Sequence, residues 1–235
     1  MDQPVAVLTG GTGGLGREVA RRLAARDFRI AATYLIPDEA AEVESVLGLD
    51  EDRLLLRRVD ATDAEAVNAF MKQVAETWGP FNVLATLVGG WAGGRDVEDT
   101  DDVRFERMID LNLRTAFNAA RAALPHLREA GWGRIVMVGS RAAIEPPAGQ
   151  AMYNVAKAGV IALARSIAQE VGDTGITANA ILPSLIDTPA FREAIPFADY
   201  VNWPTPGEIA AVIDFLASPD SGVMNGAMIP VYGNV

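Results

Sequence analysis

Short apolar runs rich in β-branched residues recur along this chain, and longer stretches of helical periodicity lie between them. Several of the runs are apolar on both alternations, which suits strands covered by helices on both faces of a parallel sheet. Strands are predicted near Pro4–Thr9, Phe28–Tyr34, Leu54–Val59, Asn82–Val88, Arg134–Gly139, Ile176–Leu182 and Ala227–Val231. Helices are predicted near Gly14–Ala25, Asp38–Leu47, Asp63–Trp78, Val103–Arg128, Ala151–Val171 and Thr205–Ala217. Crossovers between parallel strands are right-handed in nearly all proteins, so this order leads to a doubly wound α/β fold with a mostly parallel seven-stranded sheet. A chain of 235 residues, half of them apolar, can bury one core of this size, and 1–235 reads as a single domain. The segment Pro189–Pro206 lacks clear periodicity and carries Phe191, Phe197, Tyr200 and Trp203. It reads as a substrate lid.

Charge removes several classes of function. Thirty-one acidic residues stand against 20 basic ones, a balance repelled by phosphate backbones and anionic lipid surfaces. Nucleic acid and membrane partners are not expected. Without cysteine, and with His126 as the single histidine, the usual zinc ligand sets cannot be assembled, so no metal is expected. Met1-Asp2-Gln3-Pro4 runs into Val5-Ala6-Val7-Leu8 without a basic leader, and no apolar run approaches membrane-spanning length. A cytoplasmic location is the expectation.

Directly after the first strand comes Thr9-Gly10-Gly11-Thr12-Gly13-Gly14-Leu15-Gly16, followed by a helix. A strand, a tight glycine turn and a helix N-terminus together present backbone N–H groups and a positive dipole end to a pyrophosphate, the arrangement of a Rossmann-type site. Two registers fit. Gly11, Gly13 and Gly16 match the ordinary dinucleotide fingerprint, and Thr9, Gly10, Gly14 and Gly16 match a wider spacing.

Ser140 closes the predicted fifth strand, and thirteen positions later Tyr153-Asn154-Val155-Ala156-Lys157 opens a helix. Four residues make about one helical turn, so the tyrosine and lysine share a face. With the glycine turn, Asp60 after the third strand and Asn112 in Asp110-Leu111-Asn112-Leu113, the chain resembles the short-chain dehydrogenase/reductase family over nearly its whole length. That resemblance implies an NAD(P)(H)-dependent oxidoreductase acting on a small-molecule substrate. Tyr153 is then the acid/base, Ser140 orients the reacting oxygen, Lys157 tunes the phenol and binds the nicotinamide ribose, and Asn112 holds a relay water. Thr9, Gly10, Thr12, Gly14, Leu15, Gly16, Tyr34, Asp60, Ala61, Gly89, Tyr153, Lys157, Pro183, Ile186 and Thr188 are the expected cofactor contacts. The chemistry suits these residue types, because a neighbouring ammonium favours the ionised form of a phenol that otherwise titrates near 10. Each residue also has a plainer reading taken singly: a surface Tyr–Lys pair, a turn serine, an asparagine bonded to backbone. The resemblance implies that Asp60 contacts the adenine; its plainer reading is a helix cap, a role for which Thr62 and Glu65 already offer a capping-box pattern.

Two departures from the family pattern stand out. Thr86-Leu87-Val88-Gly89 occupies the place of an Asn-Asn-Ala-Gly segment, and Ser184 stands where glycine is usual. Gly89 through Gly94 is locally similar to the Gly-Gly-Trp-Ala-Gly-Gly segment of dihydropteridine reductases, which makes reduction of a quinonoid pterin an alternative. Trp91 and Trp203 are the expected substrate contacts. Tyr34 stands where an acidic residue would select NAD, and Arg17 and Arg58 are the cations within sequence reach of a 2′-phosphate, so NAD versus NADP stays open. A non-catalytic nucleotide sensor is the competing class, and it has no chemical need for Ser140, Tyr153 and Lys157 together. Relatives pair the helices equivalent to Val103–Arg128 and Ala151–Val171, implying a homodimer or homotetramer.

Overall fold

The computed structural model describes residues 3–194 and 202–234; Phe197 and Tyr200, in the middle of the expected lid, lie outside them. Seven strands form one sheet: β1 (Val5–Thr9), β2 (Arg29–Tyr34), β3 (Leu54–Arg58), β4 (Val83–Thr86), β5 (Gly133–Val138), β6 (Ile176–Pro183) and β7 (Met228–Val231). Their order is β3-β2-β1-β4-β5-β6-β7 and every neighbouring pair is parallel. The order reverses between β1 and β4, which opens a crevice at the C-terminal ends of those strands. Both the glycine turn after β1 and Ser140 after β5 fall on that edge.

The helices are α1 (Gly14–Ala25), α2 (Pro37–Leu47), α3 (Ala64–Trp78), α4 (Asp102–Ile109), α5 (Thr115–Glu129), α6 (Ala151–Glu170), α7 (Pro189–Ala194) and α8 (Pro206–Ala217). One core lies between the sheet and α3, α5 and α6, where Ala116, Ala119, Ala120 and Ala123 let α5 approach the strands closely. The other is built by α1, α2 and α8, with Val19, Leu23, Ile209 and Ile213 buried against β1 and β2.

The structure differs from the sequence expectation at four places. The helix expected over Val103–Arg128 is α4 and α5 joined by a π-helical turn, Asp110–Arg114, and this wider turn carries Asn112 into the interior. Thr62 and Glu65 do not form a capping box: Asp63 caps α3 by accepting from the N–H groups of Glu65 (2.9 Å) and Ala66 (3.1 Å). Two adjacent side chains compete for those donors, and the carboxylate one residue closer to the helix takes them. The fourth strand is shorter than expected, because pairing with β5 ends at Thr86. Pro189–Pro206 is not aperiodic throughout, since it opens with α7. Among the described residues no helix is long and apolar enough to cross a membrane, and no His, Cys, Asp and Glu cluster could hold a metal ion.

Candidate active site

The glycine turn needs glycine at members of both registers: an added Cβ on Gly11 would lie 2.6 Å from Ala32 Cβ. Gly10 sits at φ +72°, in the left-handed region, and its N–H donates to Thr33 Oγ1 at 3.0 Å. A Cβ on Gly16 would lie 2.2 Å from the Gly10 carbonyl oxygen, so α1 can start against the turn only with glycine there. Gly14 faces Thr188 across the crevice, where an added Cβ would meet the threonine methyl at 3.3 Å. Leu15 and Ile186 line the same cavity. Gly13 caps α1 with no side-chain hydrogen bond, and the first turn carries no acidic residue. Its leading N–H groups and positive dipole end are thus available to a pyrophosphate, and the turn fits the dinucleotide its sequence implies. Thr9 and Thr12 are buried beside it.

Farther along the sheet edge, Tyr34 ends β2 and Asp60 follows β3. Asp60 Oδ1 accepts from Thr62 N (2.9 Å) and Thr62 Oγ1 (2.7 Å), which fixes the carboxylate and leaves Oδ2 for a ligand. The Ala61 carbonyl accepts from buried Asn118 (3.2 Å), anchoring this edge to α5.

At the other end of the crevice, a cavity of about 590 Å³ gathers Ser140, Tyr153, Lys157, Gly89, Pro183 and Ile186 with Trp91, Phe191 and Trp203. β5 delivers Ser140 at its end, and the first turns of α6 deliver Tyr153 and Lys157. Burial pushes the Tyr153 phenol above its ordinary range, and a hydrogen bond with Ser140 pulls it back. Lys157 is enclosed, and burial brings its pKa down to about 8. Its Nζ donates to the Val138 carbonyl at 2.9 Å and stands 5.9 Å from the centre of the Tyr153 ring. The family resemblance gives Lys157 the task of tuning the phenol; in the structure its ammonium is turned toward β5, and Ser140 is the group that opposes the upward push of burial on Tyr153.

The Asn112 side chain is bonded to backbone on two sides. Its amide donates to Gly90 O and Met108 O, both at 3.0 Å, and Oδ1 accepts from Gly90 N at 3.2 Å. The carboxamide therefore clamps the turn after β4. Gly89, beside it, is closely packed: a Cβ would lie 3.0 Å from Asn112 Oδ1 and 3.1 Å from Lys157 Nζ, so a larger residue would push on both. Ser184 uses its hydroxyl to donate to the Tyr232 carbonyl (2.7 Å), tying the end of β6 to the segment after β7.

Sequence reasoning missed several wall residues. Arg141, Glu145 and Gln150 line the cavity. Arg141 pairs with Glu145 at 2.9 Å and lies over the Tyr232 ring, 5.0 Å from its centre. Gln150, which precedes α6, accepts from the Trp91 indole N–H. Their signal was position alone, in the segments that follow β5 and precede α6. Of the expected residues, Thr9, Gly10, Thr12, Gly14, Gly16, Tyr34, Asp60, Ala61, Asn112 and Thr188 are not in the cavity wall; they lie along the crevice or behind it.

A glycine turn uncapped toward a pyrophosphate, with Tyr153 between buried Ser140 and Lys157 farther along the same crevice, defines a dinucleotide-dependent oxidoreductase on a doubly wound sheet. The chain matches the short chain dehydrogenase family over residues 4–198, and it belongs to the short-chain dehydrogenase/reductase family. It is 34% identical over 237 residues to the 3-oxoacyl-(acyl-carrier-protein) reductase MabA of Mycobacterium bovis, covering 97% of this chain and 91% of that one. It is 30% identical over 248 residues to the acetoacetyl-CoA reductase of Allochromatium vinosum, covering 98% of each. Carveol dehydrogenase from Mycobacterium avium, solved in complex with NAD, superposes with a TM-score of 0.91 at 27% identity, covering 100% of this chain and 98% of that one.

Proposed function

We propose that this chain reduces a small carbonyl compound with a reduced nicotinamide dinucleotide, Tyr153 giving the proton. The carrying observation is a single cavity that gathers Tyr153, Ser140 and buried Lys157 on the crevice that begins at the uncapped glycine turn. When bound, the cofactor supplies hydride to the carbonyl carbon. Tyr153 O–H donates its proton to the carbonyl oxygen, so the product is the alcohol; the reverse direction needs the phenolate as base. Ser140 donates a hydrogen bond to the same oxygen and fixes its place beside the phenol. A phenol raised by burial is held protonated at neutral pH, which suits the reducing direction. Lys157, brought to about 8, exchanges a proton close to neutrality and can restore the one Tyr153 gives up. The relatives named for 3-oxoacyl and acetoacetyl reduction, and the structural neighbour named for carveol, support a ketone as the reacting group. Trp91 and Trp203 supply apolar wall for the rest of that substrate.

Copies of the chain pair through α5 and α6. Phe117 and Val155 are exposed on these helices, and Phe117 lines a groove of about 430 Å³ between them with Leu124 and Leu163. The test of function is a turnover assay with a 3-oxoacyl thioester, a small cyclic ketone and a quinonoid dihydropterin, each with NADH and NADPH. Substrate-dependent loss of reduced-nicotinamide absorbance with a ketone is expected. Turnover of none of them, with both cofactors bound, would leave a nucleotide sensor.

A further inference from the structure

The second strand ends in Tyr34, so no charge at that point discriminates a free ribose 2′-hydroxyl from a 2′-phosphate. A carboxylate nevertheless stands close by. Glu39, in the first turn of α2, accepts from Thr12 Oγ1 at 3.1 Å, and Thr12 is a buried member of the glycine turn. This bond crosses from α2 to the turn, over the gap between the ends of β1 and β2. A dinucleotide with its pyrophosphate on α1 lays its adenosine ribose in that region, where an acidic residue about 20 positions beyond the glycines meets the 2′-hydroxyl.

The surrounding charges point the same way. The N-terminus of α2 would by itself favour a phosphate, but its first turn holds Asp38 and Glu39 and no cation. Arg17 is drawn off by Glu42 on α2 at 2.6 Å. The opposing cation is Arg58, exposed at the end of β3 in register with Tyr34, one strand farther from the glycine turn.

We propose that the chain selects NAD(H) over NADP(H), and that Glu39, seated on Thr12, makes the selection. The inference rests on the reading that a nicotinamide dinucleotide binds at the glycine turn. A 2′-phosphate brought beside Glu39 meets like charge at short range, whereas a 2′-hydroxyl can donate to the same carboxylate. Arg58 does not reverse the balance, because a solvated side chain on an outer strand is screened.

The experiment is titration of the full chain with NADH and with NADPH, followed by quenching of intrinsic tryptophan fluorescence. NADH should bind about tenfold more tightly or better, a ratio that corresponds to roughly one like-charge contact in partly exposed surroundings. Glu39→Gln, which keeps an amide oxygen for Thr12, should tighten NADPH about tenfold and change NADH by no more than about threefold. Raising ionic strength on the unmodified protein should narrow the ratio, since repulsion is screened, and this needs no variant to fold. Arg58→Ala should leave the ratio within about twofold. Equal affinities, a preference for NADPH, or an unchanged ratio in Glu39→Gln would overturn this inference alone. Binding of neither cofactor would overturn it together with the functional reading beneath it.

Discussion

The floor and the roof of the cavity are built differently. The floor is β5 and α6: Ser140 and Lys157 are nearly enclosed, the lysine is anchored on Val138, and their positions follow from strand register and helical pitch. The roof is made of connections. Trp91 is 44% exposed and is held by one bond to Gln150, while Phe191 comes from α7 and Trp203 from the residues that lead into α8. Groups that must meet a reacting atom at fixed distance sit on rigid elements, and the surface that recognises the rest of the substrate sits on loops. Changes to the floor should therefore alter the rate of chemistry, and changes to the roof should alter substrate affinity.

The largest effect belongs to the floor. Tyr153→Phe removes the proton donor and leaves the ring, so turnover should fall about a thousandfold while the cofactor dissociation constant stays within about twofold. Steady-state kinetics with a parallel cofactor titration measures both, and a comparable loss of cofactor affinity would show that the floor is not a separate chemical unit.

Lys157 gives the next effect, on stability rather than rate. Its folded pKa, about 8, lies below its ordinary value of 10.5, so the unfolded chain binds the extra proton between those limits. Burial of the ammonium weakens the fold fully below about pH 8, and the penalty is relieved as pH rises toward 10.5. The cofactor-free protein should thus gain stability relative to Lys157→Met over that window, by on the order of 3 kcal/mol. Denaturant unfolding of both proteins at a series of pH values would detect it. A constant difference across the window would place the lysine in contact with solvent.

The smallest effect belongs to the roof. Trp203→Phe should raise the Michaelis constant a few-fold at unchanged turnover number and cofactor affinity, because it trims apolar wall without touching Ser140 or Tyr153. A fall in turnover number alone, at equal folded fraction, would make Trp203 part of the floor.

The same division separates what was legible in the sequence from what was not. The strands, the helices and the doubly wound class follow from local periodicity, and the glycine turn and the spacing of Ser140, Tyr153 and Lys157 can be read directly along the chain. The side chains that meet across the fold had no local signal. Thr12 and Glu39 are 27 positions apart, Trp91 and Gln150 are 59 apart, and both pairs depend on how crossovers bring loops to one edge of the sheet. Asn112 could be read as an asparagine bonded to backbone, but its partner Gly90 could not, since the inward turn comes from a π-helical widening inside an otherwise ordinary amphipathic pattern. The cap at Asp63 was misplaced by one residue because Thr62 and Asp63 are both good capping types and only the backbone chooses between them.

In the proposed reaction Tyr153 is the titrating group, and Ser140 opposes in part the upward push of burial on its phenol. The most direct measurement is the pH dependence of kcat/KM for alcohol oxidation, which reports the substrate-free enzyme, where Ser140 is not yet engaged with substrate and activity rises as the phenol ionises, for the unmodified protein and for Ser140→Ala. Loss of the Ser140 hydrogen bond leaves burial unopposed, so the rising limb should move to higher pH in Ser140→Ala, in addition to any fall in the maximal rate. A limb at the same pH in both proteins would contradict the account.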